Sequence, residues 1–328
     1  MTNKQQYLDF YSKHPDMCIF SAPWWLDVVC GQDNWDVILV EDKNGNIIAS
    51  FPYYLRKYKF GIKTITMPIL TQKMGPYIVY DSNKISEMKK IGYEHEIYDK
   101  IIGMLPKTYS FFVNFDQKYK NWLPFYWSGF KQTTRYSYRI SNIKDHDFVF
   151  GGYAKSKKQK IQKAKNLILK YDLDFNVFYD YFEQTIKERG EKVSYSRELF
   201  VNLCKAVYEH NQGRVFYCED EAGNIHAVNL TVLDNETAYY LVAMRKSEFK
   251  TSGGTEFLLD ETIKSVSQFV DVFDFEGSMI KGVEESFRWY GAHQTEYYNI
   301  YKDNNIILPF VRDGMNLLYM VKRKMSRH

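Results

Sequence analysis

Residues 271–291, DVFDFEGSMIKGVEESFRWYG, sort their side chains onto two faces. Val272, Asp274 and Glu276 fall on one face of an extended chain, and Phe273 and Phe275 on the other, because successive strand side chains point in opposite directions. The pattern predicts a short aromatic strand with two carboxylates together at its end. Gly277 and Ser278 break it, and residues 283–290 then suit a short helix presenting Phe287 and Arg288. Upstream, Leu259, Ile263, Val266 and Val270 recur at helical spacing, which predicts an amphipathic helix over 255–269. In residues 154–170, AKSKKQKIQKAKNLILK, a helix would align Ile161, Ala164 and Ile168 on one stripe with most of the lysines around it.

The rest of the chain alternates strands and helices. Helices are expected at 4–14 and 22–30, the second capped by Ser21 with Pro23 in its first turn. Strands at 35–40 and 47–55 form a hairpin. Residues 63–80 read as strand interrupted by a loop at Pro68, Gly75 and Pro76. A helix near 84–105, a strand at 109–115, helices at 179–189 and 197–210, and a strand at 238–243 follow. Two stretches echo each other in the same order: 37–52 with 215–230, and 112–140 with 272–300. Each member of the first pair is a hairpin with a Gly-Asn turn. Ordered echoes imply one α/β (α+β) fold used twice, divided at 1–150 and 151–328.

A length of 328 residues suffices for two cores, and 45% hydrophobic residues with 28 Tyr and 23 Phe exclude a disordered chain. The net charge of +4 does not by itself point to nucleic acid or membrane. Cys18, Cys30, Cys204 and Cys218 lack CxxC spacing and read as reduced, buried thiols. The seven histidines do not group as ligands, so no metal is expected. Neither a signal-peptide run nor a stretch of about 20 apolar residues is present, which places the protein in the cytoplasm. The basic tail, 321–328, reads as a frayed end.

Charge clustering carries more than the total. The lysines at 155, 157, 158, 160, 163, 165 and 170, unbroken by acid, either form a solvated face or meet a polyanion such as a phosphate, nucleotide or RNA. Lys250-Thr-Ser-Gly-Gly-Thr255 runs into the helix at 255–269. There backbone N–H groups and the helix dipole suit a pyrophosphate, although Ser252 and Thr255 serve equally as ordinary caps. Glu276 has a capping or ion-pairing alternative to catalysis, and Arg288 a surface salt bridge.

Several stretches together resemble the tandem GNAT-like acyltransferases related to the Fem-type peptidyltransferases. These are SAPWWL at 21–26, PILTQKMGP at 68–76, SKKQKIQKAK at 156–165, Ser252-Gly253-Gly254, and Phe287-Arg288-Trp-Tyr-Gly291. The resemblance covers about residues 21–300. It implies two GNAT-like domains, each a mixed central sheet flanked by helices, and transfer of an acyl or aminoacyl group to an amine. Arg288 stands where the family carries lysine, and the long coiled-coil arm of Fem proteins has no counterpart heptads here.

From this follows an expected N-acyltransferase that moves an acyl group from acyl-CoA to an amine of a sugar nucleotide, peptide or cell-envelope precursor. Lys250, Ser252, Gly253, Gly254 and Thr255 would hold the donor. Glu276 would accept the amine proton, Arg288 would stabilise developing negative charge, and Phe287 would wall the reacting carbonyl. Lys157, Lys160, Arg189, Tyr290 and Tyr298 are the substrate-binding candidates. Two alternatives stand beside this reading: a Fem-type transferase using aminoacyl-tRNA, and a catalytically inactive GNAT-like binding protein.

Overall fold

The alternation and helical spacing become ten α-helices and twelve strands among the described residues, 2–80 and 86–304 of a computed structural model. The first half contains α1 (Asn3–Lys13), α2 (Pro23–Cys30), β1 (Trp35–Glu41), β2 (Ile47–Lys57), β3 (Lys63–Thr66) and β4 (Tyr77–Ile78). It continues with α3 (Glu87–Met104), β5 (Ser110–Asn114), α4 (Leu123–Trp127) and β6 (Lys131–Ser141). Then come α5 (His146–Gly152), α6 (Lys155–Lys163), β7 (Ile168–Tyr171), α7 (Phe175–Glu188), α8 (Arg197–Glu209), β8 (Gly213–Glu219) and β9 (Ile225–Leu233). The chain ends in β10 (Thr237–Met244), α9 (Gly254–Val266), β11 (Val272–Asp274), α10 (Lys281–Arg288) and β12 (His293–Asp303). Lys84, expected in the third helix, and the basic stretch 321–328 lie outside the described residues. No described helix is long and apolar enough to cross a membrane.

Three local expectations are corrected. The cap position of α2 is Ala22, with no side-chain bond, while the Ser21 carbonyl accepts the Tyr7 hydroxyl at 2.6 Å. Helix α7 begins four residues before the expected start because Asp174 caps it, accepting from the amides of Asn176 and Val177. The lysine helix stops at Lys163, and Ile168 instead begins a strand that pairs with β8, leaving its side chain exposed.

The two echoed hairpins share their construction. Asp42 accepts from the amides of Asn44 and Asn46, and Asp220 from those of Ala222 and Asn224. Gly45 and Gly223 both take φ of 81°, and each hairpin slips register at the matching place, Val40/Glu41 and Cys218/Glu219. The duplication extends to the sheet, where β1–β2–β3 pair antiparallel and β3 lies parallel to β5. In the same way β8–β9–β10 pair antiparallel, and β10 lies parallel to β11.

The last strand of each half then crosses to the other half. Strand β12 pairs antiparallel with β5, and β6 with β11, while β6 and β12 pair with each other. The result is one mixed sheet in the order β1-β2-β3-β5-β12-β6-β11-β10-β9-β8-β7, with β4 beside β2. Because backbone ladders join the halves, neither can leave without breaking them. One core cluster spans both halves, from Trp25 and Phe51 to Phe178 and Phe200, and a second lies under α9 around Leu258, Ile263 and Phe273.

Candidate functional site

Strands β10 and β11 are parallel for only three paired positions, Thr237–Tyr239 with Val272–Asp274. Beyond these they part, and a groove of about 550 Å³ opens between residues 240–245 and residues 275–277. A bulge between Tyr240 and Val242 leaves Leu241 without an opposite number on β9, at the point where the groove begins. Thr255, in the first turn of α9, and Arg189, at the end of α7, also line it. Among the described residues, three buried polar atoms here have no hydrogen-bond partner: Thr255 Oγ1, Arg245 Nη1 and Glu276 Oε1. Buried polar atoms are normally satisfied, so three in one groove suit a polar ligand.

The two carboxylates stand together as the alternation predicts. Asp274 is fully buried, takes the Ser137 hydroxyl on Oδ1, and lies 3.5 Å from Arg139 Nε through Oδ2. The Glu276 amide donates to Asp274 Oδ1 at 2.8 Å. The strand breaks at Glu276 itself, whose φ is +59°, one residue before the expected Gly277. Burial and the neighbouring Asp274 charge push the Glu276 carboxyl well above the usual carboxylate range, against a smaller pull from Lys73. A carboxyl raised in this way binds a proton more tightly than an ordinary glutamate, and it stands where the groove gives access to it.

Glu276 also borders a second hollow, of about 260 Å³, whose wall includes Gln72, Arg135 and Tyr297. Leu70, Leu241, Glu276 and Gly277 line both spaces, so groove and hollow meet at Glu276. A further cleft, of about 290 Å³, is lined by Lys73, Asp116, Lys118 and Glu236. There the charges answer one another, Lys73 with Asp116 at 2.9 Å and Lys118 with Glu236 at 3.0 Å.

The remaining predicted residues fall into two groups. Phe287 lines the groove and stacks on Phe275 at 4.7 Å; Thr255 and Arg189 line it as well. The cap position of α9 is Gly253, with no side-chain cap bond, so neither Ser252 nor Thr255 is the expected cap. Ser252, one residue earlier, accepts from the Gly254 amide at 3.0 Å, and Lys250 is exposed before it. A Cβ on Gly253 would collide with the Lys160 carbonyl, and one on Gly254 would come within 2.8 Å of His226 Cβ. These glycines therefore let α9 approach α6 and β9 closely.

Lys157 is buried, donates to Glu256 at 3.3 Å and to Ser286 at 3.0 Å, and sits 4.4 Å over the Tyr290 ring. Lys160 reaches the same Glu256 oxygen at 2.9 Å, and Lys163 the Thr251 carbonyl at 2.7 Å. Arg288 is exposed and pairs with Glu284 at 3.1 Å. Tyr290 is buried, and Tyr298 packs against the core that spans both halves, whereas its neighbour Tyr297 lines the hollow.

In the first half the equivalent opening beyond β3 and β5 is filled by the chain itself. The Met74 amide donates to the Asn114 carbonyl at 2.8 Å, and the Asn114 side chain to the Gln72 carbonyl at 2.8 Å. A Cβ on Gly75 would lie 2.9 Å from the Phe115 ring. Sequence reasoning missed Arg245, Leu241, Gln72, Arg135 and Tyr297. The alternation of β10 held a signal for Leu241 only through the bulge, and Arg245 stood next to the noted loop.

Residues 153–285 match the family model described as Acetyltransferase (GNAT) domain. No curated protein sequence matches the chain. Among solved structures, the chain is similar to FemX, with 13% identity and a TM-score of 0.65, covering 91% of this chain and 96% of that one. It is similar to L-PGS from Bacillus licheniformis, with 10% identity and a TM-score of 0.53 over 94% of this chain and 96% of that one. It is also similar to a tandem GNAT protein from the clavulanic acid biosynthesis pathway, with 9% identity and a TM-score of 0.50 over 91% and 94%. At these identities the likeness is one of fold.

Proposed function

We propose, from the premise that this chain carries a GNAT domain at residues 153–285 within the duplicated fold that it shares with FemX, that it is an N-acyltransferase using acyl-CoA. The groove between β10 and β11 takes the donor, and the acceptor is an amine of a sugar nucleotide, peptide or cell-envelope precursor. The observation that carries this reading is the set of unpartnered polar atoms on Thr255, Arg245 and Glu276 lining one groove. On this reading residues 151–328 hold the donor, and residues 1–150, whose own opening is filled, form the acceptor side.

In the reaction the amine lone pair attacks the thioester carbonyl, a C–N bond forms, the C–S bond breaks, and the thiolate leaves as CoA thiol after protonation. Glu276 takes one proton from the ammonium form of the amine, which frees the lone pair, and the second proton shed by nitrogen passes to the departing thiolate. Arg245 and Arg189 answer the donor's phosphates, Thr255 donates to the donor, and Phe287 shields the reacting carbonyl from water. Arg288, held by Glu284 on the surface, has no part in the step.

Incubation with acetyl-CoA and a panel of amines, following thiol release, tests the proposal. Amine-dependent release is expected, and Glu276→Gln should lower it by about 10²–10⁴-fold while acetyl-CoA still binds. Absence of release with every amine contradicts it. The pairing of Lys157, Lys160 and Lys163 inside the chain weighs against α6 as an RNA surface, and so against charged tRNA as donor. Tight, steeply salt-dependent tRNA binding would favour that alternative. Anion binding without turnover would favour a GNAT-like binding protein.

A further inference from the structure

The hollow beside Glu276 has polar walls that are mostly spoken for. Asn114 donates to the Gln72 carbonyl and accepts from Asn299, Thr71 accepts from Trp25, and Ser278 accepts from the Ile280 amide. Among the described residues three buried atoms have no partner: Arg135 Nε, Gln72 Oε1 and Glu276 Oε1. All three residues line the hollow; the Arg135 guanidinium hydrogen-bonds Tyr297 and lies 5.7 Å from the Phe112 ring, but among the described residues its Nε is unpaired and no carboxylate answers its charge. The unmet set is thus one cationic donor and two oxygen acceptors, which complements a ligand that bears both a carboxylate and an amine.

We infer that the acceptor is a free amino acid or the free end of a short peptide in which carboxylate and amine lie close together. Arg135 holds the carboxylate, and Gln72 Oε1 and Glu276 receive the amine N–H groups. This rests on the acyltransferase reading for its chemistry, but the binding preference stands on the hollow alone. A guanidinium is the fitting partner for a carboxylate because its planar N–H fork matches the two oxygens. The ammonium passes one proton to the Glu276 carboxylate, and the freed lone pair forms the C–N bond with the donor carbonyl. The C–S bond breaks, and the thiolate takes the second proton shed by nitrogen, leaving amide and thiol.

The test titrates the full chain, without donor, with the standard amino acids and the dipeptide Ala-Ala, each beside its carboxamide, which keeps the amine and removes the negative charge. At least one acid should bind at least about tenfold tighter than its carboxamide, the effect of losing a charged hydrogen bond. Arg135→Gln should erase that preference and Arg135→Lys restore part of it, with melting temperature checking the fold of each variant. If no acid binds, or if acid and carboxamide bind equally to the unaltered chain, the inference fails. Acetyl-CoA titration and thiol release run in parallel separate the two failures. Donor binding and turnover of amines lacking a carboxylate would keep the acyltransferase and discard the amino-acid acceptor. Acid-selective binding with no donor binding would do the reverse.

Discussion

The Glu276 amide donates to Asp274 Oδ1 at 2.8 Å, so the residue that ends β11 fixes the backbone of the one that turns into the groove. This bond helps to hold Glu276 at positive φ and keeps its carboxyl beside a second buried acid. The arrangement makes stability depend on pH with a definite sign. The native carboxyl is raised above its unfolded value, so the native state binds the proton more tightly. Its contribution is fully present below the unfolded value of about 4.5 and is lost as pH rises through the native value. Glu276→Gln, which stays neutral, should therefore melt progressively higher relative to the unaltered chain as pH is raised above about 4.5. A constant difference across pH would show that Glu276 is not held in this way.

Gly253 has φ of 82° and lies against the Lys160 carbonyl. Gly253→Ala adds both backbone strain and a collision, so urea denaturation should show a loss of about 2 kcal/mol or more. Gly45→Ala, at nearly the same φ with open space around it, should lose only the strain, about 1 kcal/mol. Equal losses would mean that the α6–α9 contact is looser than described.

Glu256 joins Lys157 and Lys160 where α6 meets α9. Burial raises its carboxyl, but the Lys160 hydrogen bond and the two lysine charges outweigh this and hold it below the usual glutamate range. Glu256→Ala leaves Lys157 buried without its acid and should cost about 3 kcal/mol at neutral pH. Because the native value is depressed, the stability that Glu256 supplies is present above the unfolded value and is lost as pH falls through the native one. The gap between the two proteins in urea melts should therefore shrink on acidification.

Arg245 and Arg288 should separate cleanly. Arg245→Ala removes a cation from the groove and should weaken acetyl-CoA binding by about tenfold, the effect of one charge-assisted bond. Arg288→Ala removes an exposed i,i+4 pair and should change stability by less than about 0.5 kcal/mol without altering binding. Titration and denaturation of the two variants side by side would expose a reversal of these roles.

The parts of this molecule that were legible in sequence are those set by neighbours along the chain. Asp42, Gly45 and Asn46 repeat as Asp220, Gly223 and Asn224 because each turn is closed by its own residues. The crossing of β6 and β12 was not legible, since alternation defines the faces of a strand but not which distant edge it joins. Phe115-Asp116 echoes Phe275-Glu276, yet Asp116 finds Lys73 at 2.9 Å while Glu276 Oε1 has no partner among the described residues. That difference arises from residues 67–76 folding back over β5, a non-local contact. The stretch around Gly253 and Gly254 read in sequence as a phosphate cradle or as an ordinary capped helix start, and only the position of Lys160 reveals that Gly253 serves close helix packing. Arg135 lies within the echoed stretch, but nothing in its pattern distinguishes it from Arg139, which meets Asp274.

If the groove between β10 and β11 takes the acyl donor as proposed, calorimetric titration with acetyl-CoA will distinguish the unaltered chain from Ala243→Trp. Ala243 lines the groove and is half-buried, so an indole there fills the space while its edge remains toward solvent. One acetyl-CoA per chain should bind, and Ala243→Trp should abolish that binding with the melting temperature little changed. Undiminished binding in a folded Ala243→Trp variant, or no binding to the unaltered chain, would contradict the proposed donor site.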